Sequence, residues 1–222
     1  MNLDDLTSAG RATILASAKA ITLARNETLY AASDRSDRVY FVSTGRIKIV
    51  RSNAAGAEAI VGIRNIGDIF GELTWMEPDS RRSTSAVAIE PSTIDSLDTK
   101  AFDRLLRENR ELARAFARGV TRRLADAEAE LTELAGKSVP GRLVDVLGRL
   151  AGEHGVEEAD GALRIGINLT HKDLADLIGT SRETLTKELS VLADVGLLRV
   201  AHKTITLVQP RAFPFARRRE SS

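Results

Sequence analysis

Five polar side chains near the C-terminus, Arg182, Glu183, Thr186, Lys187 and Ser190, recur at a spacing that places them on one face of a helix. Leu185, Leu189 and Leu192, at i, i+4 and i+7, take the opposite face and must point to a core. One forked guanidinium, one carboxylate, one ammonium and two hydroxyls match the mixed donor and acceptor edges of base pairs in a DNA major groove. Most polar helix faces only meet water, so the reading rests on what flanks this one. Thr170 with Asp173, and Thr180 with Glu183, have the spacing of two capping boxes. Gly179 stands between them, where a left-handed residue would stop the first helix. Beyond the second helix, 197–201 and 204–208 read as strands joined by a tight polar turn at His202-Lys203. The unit is a winged helix-turn-helix.

A second constellation lies upstream, in Gly67-Asp68-Ile69-Phe70-Gly71-Glu72-Leu73 followed by Arg81-Arg82-Ser83. Gly71 lets a ligand approach the backbone and frees amides for an anion. Glu72 can accept from a sugar hydroxyl, and an arginine ten residues on can clamp a phosphate with its planar fork. Either piece alone is commonplace. Together, between strands, they are specific. Trp75 and Met76, close by, are read as packing residues.

Composition narrows the chemistry further. With no cysteine there is neither a disulfide framework nor a thiolate metal or iron–sulfur site. His154, His171 and His202 all fall in the last third, which excludes a histidine-held haem or zinc in the first half. No Ser, His and Asp cluster suggests a nucleophile, so the chain does not read as an enzyme. The start, Met1 to Leu6, lacks the basic and apolar regions of a signal peptide, and no apolar run reaches membrane-spanning length, which points to the cytoplasm. The net charge is only +1, so positive charge for a nucleic acid must be local. Lys172, Arg182, Lys187, Arg199, Lys203 and the tail Arg217 to Arg219 could supply it.

The elements that must position these groups change character along the chain. Residues 3 to 19 suggest a short helical lead-in. From 20 to 98, strand-like runs at 39–42, 47–50, 59–63 and 86–89 alternate with turn signals, as in an antiparallel barrel or jelly roll. From 100 to about 137 the pattern is one long helix, with Leu112, Phe116, Val120, Leu124, Ala127, Leu131 and Leu134 at steps of three and four. Such a helix outruns one small barrel, so part of its stripe fits a twofold dimer seam. Ser138 to Gly141 ends it, with Pro140 as a hinge. The expected architecture is α+β: an effector-binding β-roll with lead-in over 1–99, a dimerisation helix and hinge over 100–138, a winged helix-turn-helix over 139–208, and a basic tail over 209–222.

The motif Ser181-Arg182-Glu183-Thr184, with Gly71-Glu72-Leu73 and Arg82-Ser83, makes residues 20 to 208 resemble the cyclic-AMP receptor protein / fumarate–nitrate regulator (Crp–Fnr) superfamily of bacterial transcription factors. The resemblance implies a homodimer in which an effector in the β-roll repositions the long helices, so that two reading heads meet successive major grooves about 34 Å apart. It implies that Glu72 takes the ribose 2′-hydroxyl, and that Arg82, Ser83 and the Gly71–Leu73 turn cradle the cyclic phosphate. Arg81 is a rival for that phosphate, and Arg123 matches the long-helix arginine against the pocket. Arg182 would take guanine O6/N7 and Glu183 would accept from cytosine N4, with Ser181 and Thr186 beside them. Lys187 replaces a second arginine and softens discrimination there. Thr170, His202 and Lys203 would hold phosphates. The base-reading pair of cyclic-AMP-binding relatives falls on Ala127 and Glu128, where only Glu128 can accept from an exocyclic amine. Cyclic AMP is the first choice of effector, with no metal, haem or cluster. The alternatives are an effector-independent regulator with a vestigial pocket, or a nucleotide-binding module acting on a protein partner. Double-stranded DNA of near-palindromic sequence, a second copy and RNA polymerase are the implied partners. The acidic segment Glu157 to Asp160 matches no recognisable activation pattern.

Overall fold

The computed structural model describes residues 2–3, 8–53, 56–73, 80–134, 136–201 and 204–216, with side chains described outside 8–9 and 130–134. The chain divides into two compact units, Met1–Glu130 and Leu131–Ser222. The 202–203 turn, Trp75, Met76 and the arginines at 217–219 lie outside the described residues.

The first unit starts with α1 (Ser8–Ala16) and continues through β1 (Lys19–Leu23), β2 (Thr28–Tyr30), β3 (Arg38–Thr44), β4 (Ile47–Ser52), β5 (Glu58–Arg64), β6 (Ile69–Phe70), β7 (Ser85–Ala88) and β8 (Ser92–Asp98). The helices α2 (Thr99–Glu108) and α3 (Arg110–Leu134) follow. Two antiparallel four-stranded sheets, β1-β8-β3-β6 and β2-β7-β4-β5, make the expected β-roll. Period-two alternation sorts its side chains into two cores. On β3, Tyr40 and Val42 join Leu23, Tyr30, Ile47, Ile49, Phe70 and Ile94 inside the roll. Val39 and Phe41 on the other face join Leu3, Ile14, Ile69, Leu97, Phe102, Leu112 and Ala115, which seat the helices on the outside. A strand buried on both sides reads as a near-continuous apolar run, and Val39-Tyr40-Phe41-Val42 is one.

The single long helix expected over 100–137 is instead two. Asn109 ends α2, its amide donating to the Leu105 carbonyl, and caps α3, its side-chain oxygen accepting from the Leu112 amide at 3.0 Å. A residue that satisfies orphan groups on both sides makes the break cheap, and the heptad-like stripe conceals it. Pro140 does not end a helix but opens the next one.

The second unit comprises α4 (Val139–His154), β9 (Gly155–Glu157), β10 (Leu163–Ile165), α5 (His171–Ile178), α6 (Arg182–Asp194), β11 (Leu198–Ala201) and β12 (Thr204–Leu207). Its sheet runs β11-β12-β10-β9, so the two strands of the wing extend a hairpin that sequence patterning did not reveal. Pro140 sits in the first turn of α4, where its missing amide costs nothing. Leu143, Leu147, Ile178, Leu185, Leu189 and Leu207 form the buried centre. Residues 209–216, expected as part of a basic tail, belong to the fold. Phe213 and Ala216 are buried, and the backbone of 213–214 lies on Gly148. A Cβ on Gly148 would stand 1.8 Å from the Pro214 carbonyl oxygen. Gly148→Ala is therefore expected to cost about 1–3 kcal/mol, because backbone rather than a flexible side chain must move. Calorimetric unfolding of the variant checks this, and an unchanged transition would show that the segment is not seated there.

Candidate effector pocket and nucleic-acid interface

Glu72 and Arg82 come from the two ends of the loop between β6 and β7, and both are buried, at 3% and 5% exposure. Burying charges is costly unless each finds partners. Glu72 pairs with Arg123 of α3, whose Nη1 also reaches the Ile69 carbonyl at 3.4 Å. Arg82 donates through Nη1 to the Gly71 carbonyl and through Nη2 to the Arg38 carbonyl at 2.6 Å. Its guanidinium lies over the Tyr30 ring at 4.4 Å and the Tyr40 ring at 5.3 Å. Burial raises both tyrosines above their ordinary phenol range, so both rings stay neutral beneath the cation. Gly71 is required at its place. Its φ is 77°, and a Cβ would fall 2.8 Å from Arg82 Nη1 and 2.9 Å from the Tyr40 ring.

Gly71, Glu72, Leu73, Arg82, Ser83 and Arg123, six of the seven sequence-derived candidates, line one cavity together with Tyr30, Ile49, Arg64, Phe70 and Thr84. Arg81 donates instead to the Ser33 carbonyl at 3.0 Å, so of the two arginines Arg82 is the one that lines the cavity. Glu128, the seventh, is exposed on α3 and does not line this cavity. Two residues beyond Asp126 on a 100° helical step, it turns off the face that meets the roll. The cavity measures about 30 Å³, room for a water or two, because the Glu72–Arg123 pair and the inward Arg82 fill it. A larger space of about 360 Å³ adjoins, lined by Arg64, Asp68, Arg118, Arg122, Arg123 and Asp126 among others. Two buried guanidinium nitrogens, Nε of Arg64 and Nε of Arg82, have no partner among the described residues. Donors of that kind suit a phosphate or another anion.

Arg64, Tyr30 and Thr84 were missed by sequence reasoning. Nothing in the local pattern marked Arg64: it closes the apolar run Ile60-Val61-Gly62-Ile63, where a strand's end is ordinarily solvated, yet it is half-buried.

In the second unit the helix-turn-helix forms as the caps dictate. Thr170 and Asp173 make a reciprocal capping box at the start of α5, and Gly179 adopts φ 65°, ψ 53° after its end. The second cap falls one residue later than expected. The Thr180 amide closes the turn on the Ala175 carbonyl at 3.0 Å, and Ser181 caps α6 by accepting from the Thr184 amide at 3.1 Å. Arg142 of α4 donates to the carbonyls of Ile178 (2.7 Å) and Gly179 (3.3 Å) in that turn, and of Lys137 (3.0 Å) before α4.

On α6, Leu185 and Leu189 are buried, while Arg182, Glu183, Thr186, Lys187 and Ser190 are exposed and line one surface hollow. The Glu183 carboxyl is held below the usual range, first by its own backbone amide, then by the Ser181 hydroxyl and Arg182, so it remains an acceptor in mild acid. The Thr186 hydroxyl donates back to the Arg182 carbonyl at 2.9 Å and lies 3.2 Å from His171 Nδ1. Thr170 stands at the N-terminus of α5, whose amides attract anions. His202 and Lys203 fall outside the described residues. Arg199 is not a free cation for phosphate. It pairs with Glu158 and with Asp160 (3.2 Å) in the β9–β10 turn, which accounts for the acidic segment there.

Comparison with known proteins adds to this geometry. A cyclic nucleotide-binding domain model matches residues 20–109, and a Crp-like helix-turn-helix domain model matches residues 141–213. The chain is 33% identical over 183 residues to a CRP-like cAMP-activated global transcriptional regulator of Mycobacterium tuberculosis, covering 82% of this chain and 81% of the relative. It is also 33% identical over 190 residues to a global nitrogen regulator of Nostoc, covering 85% of each. Among solved structures, the c-di-GMP-responsive global regulator CLP of Xanthomonas campestris superimposes with a TM-score of 0.80 at 20% identity, over 90% of this chain and 99% of that one. With a charged pocket in the β-roll, a winged helix presenting five outward polar side chains, and relatives of that identity along most of its length, the chain belongs to the Crp–Fnr superfamily of transcription regulators.

Proposed function

We propose that this regulator is a homodimer that reads a near-palindromic DNA site with α6 and is controlled by a cyclic nucleotide held at Glu72, Arg82, Ser83 and Arg123. The observation that carries the reading is the Glu72–Arg123 pair. A nucleotide whose ribose takes Glu72 must draw Arg123 off that carboxylate, and Arg123 belongs to the helix that carries the dimer seam. The seam itself is supported by Val120, Leu124 and Ala127, which stay exposed on α3 while Leu112 is buried and Phe116 packs against the roll. A second copy covers such a stripe. Contact with RNA polymerase and a cytoplasmic setting belong to the same reading. The names of the cAMP-activated relatives favour cyclic AMP, but the base side of the pocket has its own chemistry, treated below.

The test is a gel-shift titration of operator and scrambled duplexes with Arg182→Ala. Loss of a bidentate guanine contact is expected to cost about 1–3 kcal/mol, a fall in operator affinity of about fivefold to 150-fold, while scrambled DNA is bound within severalfold of wild type. Unaltered discrimination would remove α6 from the major groove. One observation favours a second reading, an effector-independent regulator: the Glu72–Arg123 pair already satisfies the carboxylate and leaves about 30 Å³ beside it. Calorimetry with cyclic nucleotides separates the two, because a vestigial pocket gives no heat and no change in DNA affinity.

A further inference from the structure

Arg64 is the charged group in the pocket whose role the preceding reading leaves open. It ends β5 and lines both the small cavity beside Glu72 and the larger space that adjoins it. Its Nη1 donates to its own neighbour's carbonyl, at Ile63, at 3.3 Å, and its Nε is buried without a partner among the described residues. The nearby carboxylates are engaged elsewhere. Glu72 holds Arg123, and Asp68 accepts from Asn2 Nδ2 at 3.3 Å and from the Asn65 amide at 2.8 Å. Burial first, and then Arg123, press the Arg64 guanidinium below its ordinary range, and the charges of Glu72 and Asp68 offset this only in part. Gly62 makes the placement possible. A Cβ at that position would stand 2.8 Å from Arg64 Nη1, so the bare α-carbon is what lets the guanidinium fold back over the strand.

Three arginines, 64, 82 and 123, therefore face one carboxylate, Glu72, and the phosphate of a cyclic nucleotide neutralises only one of the two surplus charges. Ser83, Arg82 and the Gly71–Leu73 turn take the sugar-phosphate end, which leaves the Arg64 side for the base. There the two purines differ. Guanine offers two acceptors, O6 and N7, to an arginine fork; adenine offers N7 but sets its N6 amine, a donor, against the same fork. The larger space that would receive the base adds the Asp126 carboxylate, which can accept from the N1–H and N2–H donors that guanine has.

Resting on the cyclic-nucleotide reading above, we propose that Arg64 is the base-reading residue of this pocket and selects guanine, so that the effector is 3′,5′-cyclic GMP in preference to cyclic AMP.

The experiment is isothermal calorimetry of the full chain with cyclic GMP and cyclic AMP, in wild type and in Arg64→Gln. Wild type is expected to bind cyclic GMP roughly tenfold to hundredfold more tightly. In Arg64→Gln the side-chain amide donates to N7 and accepts from N6–H, so preference is expected to swing towards cyclic AMP, a gain of binding that misfolding cannot mimic. Cyclic AMP bound as tightly as cyclic GMP by wild type, or an unchanged ratio in the variant, overturns the role of Arg64 and leaves nucleotide control standing. No heat from either nucleotide in wild type removes nucleotide control and this proposal with it.

Discussion

Phe102→Ala should destabilise the N-terminal unit by about 3–5 kcal/mol, the range for truncating a fully buried aromatic. Phe102 is 0% exposed and meets Phe41 of β3 edge-on at 6.4 Å and Phe116 of α3 at 5.5 Å. It thus joins sheet, α2 and α3 in one cluster, and the cavity left behind has three walls that cannot all move inward. Edge-to-face pairs add to the loss beyond buried area. Because a protein of two units need not unfold in one step, the quantity to follow is the urea midpoint of the transition that removes β-sheet circular dichroism. A shift worth less than 1 kcal/mol would mean that the helices are seated by other contacts.

Removing Arg123 should cost nearly as much, for an electrostatic reason. Glu72 is buried, and Arg123→Ala strips it of its ion-pair partner, a change worth about 3 kcal/mol because desolvation of the carboxylate is then uncompensated. The companion change Glu72→Gln removes the charge at nearly constant volume, so the double variant is expected to recover most of the loss. A double variant as unstable as Arg123→Ala alone would show that the arginine acts through packing of its stem. Both single changes are also expected to abolish calorimetric heat from cyclic nucleotide.

The parts of this structure that were legible beforehand are those fixed by local stereochemistry. Thr170, Asp173 and Gly179 announce a helix and its stop because caps use side chains three residues apart and only a left-handed residue closes the turn cheaply. The outward set on α6 follows from leucines at a period of 3.6. What escaped depends on competition between near-equal neighbours or on partners far along the chain. Thr180 and Ser181 are both good caps, and the claim of Thr180's amide on Ala175 decided between them. Asn109 stands at helical spacing from both Leu105 and Leu112, so periodicity runs straight through the helix boundary. Arg199 looked like free positive charge until the β9–β10 turn brought Glu158 and Asp160, some forty residues away in sequence, against it. For the pocket, the motif spacing identified Glu72 and Arg82 but not Arg64. No local rule says that a strand's last residue will turn inward.

The three carbonyls gathered by Arg142 carry a mechanical implication. One guanidinium ties the stretch just before α4 to the corner between α5 and α6, through Lys137 on one side and Ile178 and Gly179 on the other. A pull on that stretch is delivered to the corner by a planar, inextensible fork, not by a spring of packed methyl groups. A lysine there, with one flexible ammonium, would slacken the tether, and the α5–α6 corner would be held less firmly to the chain ahead of it.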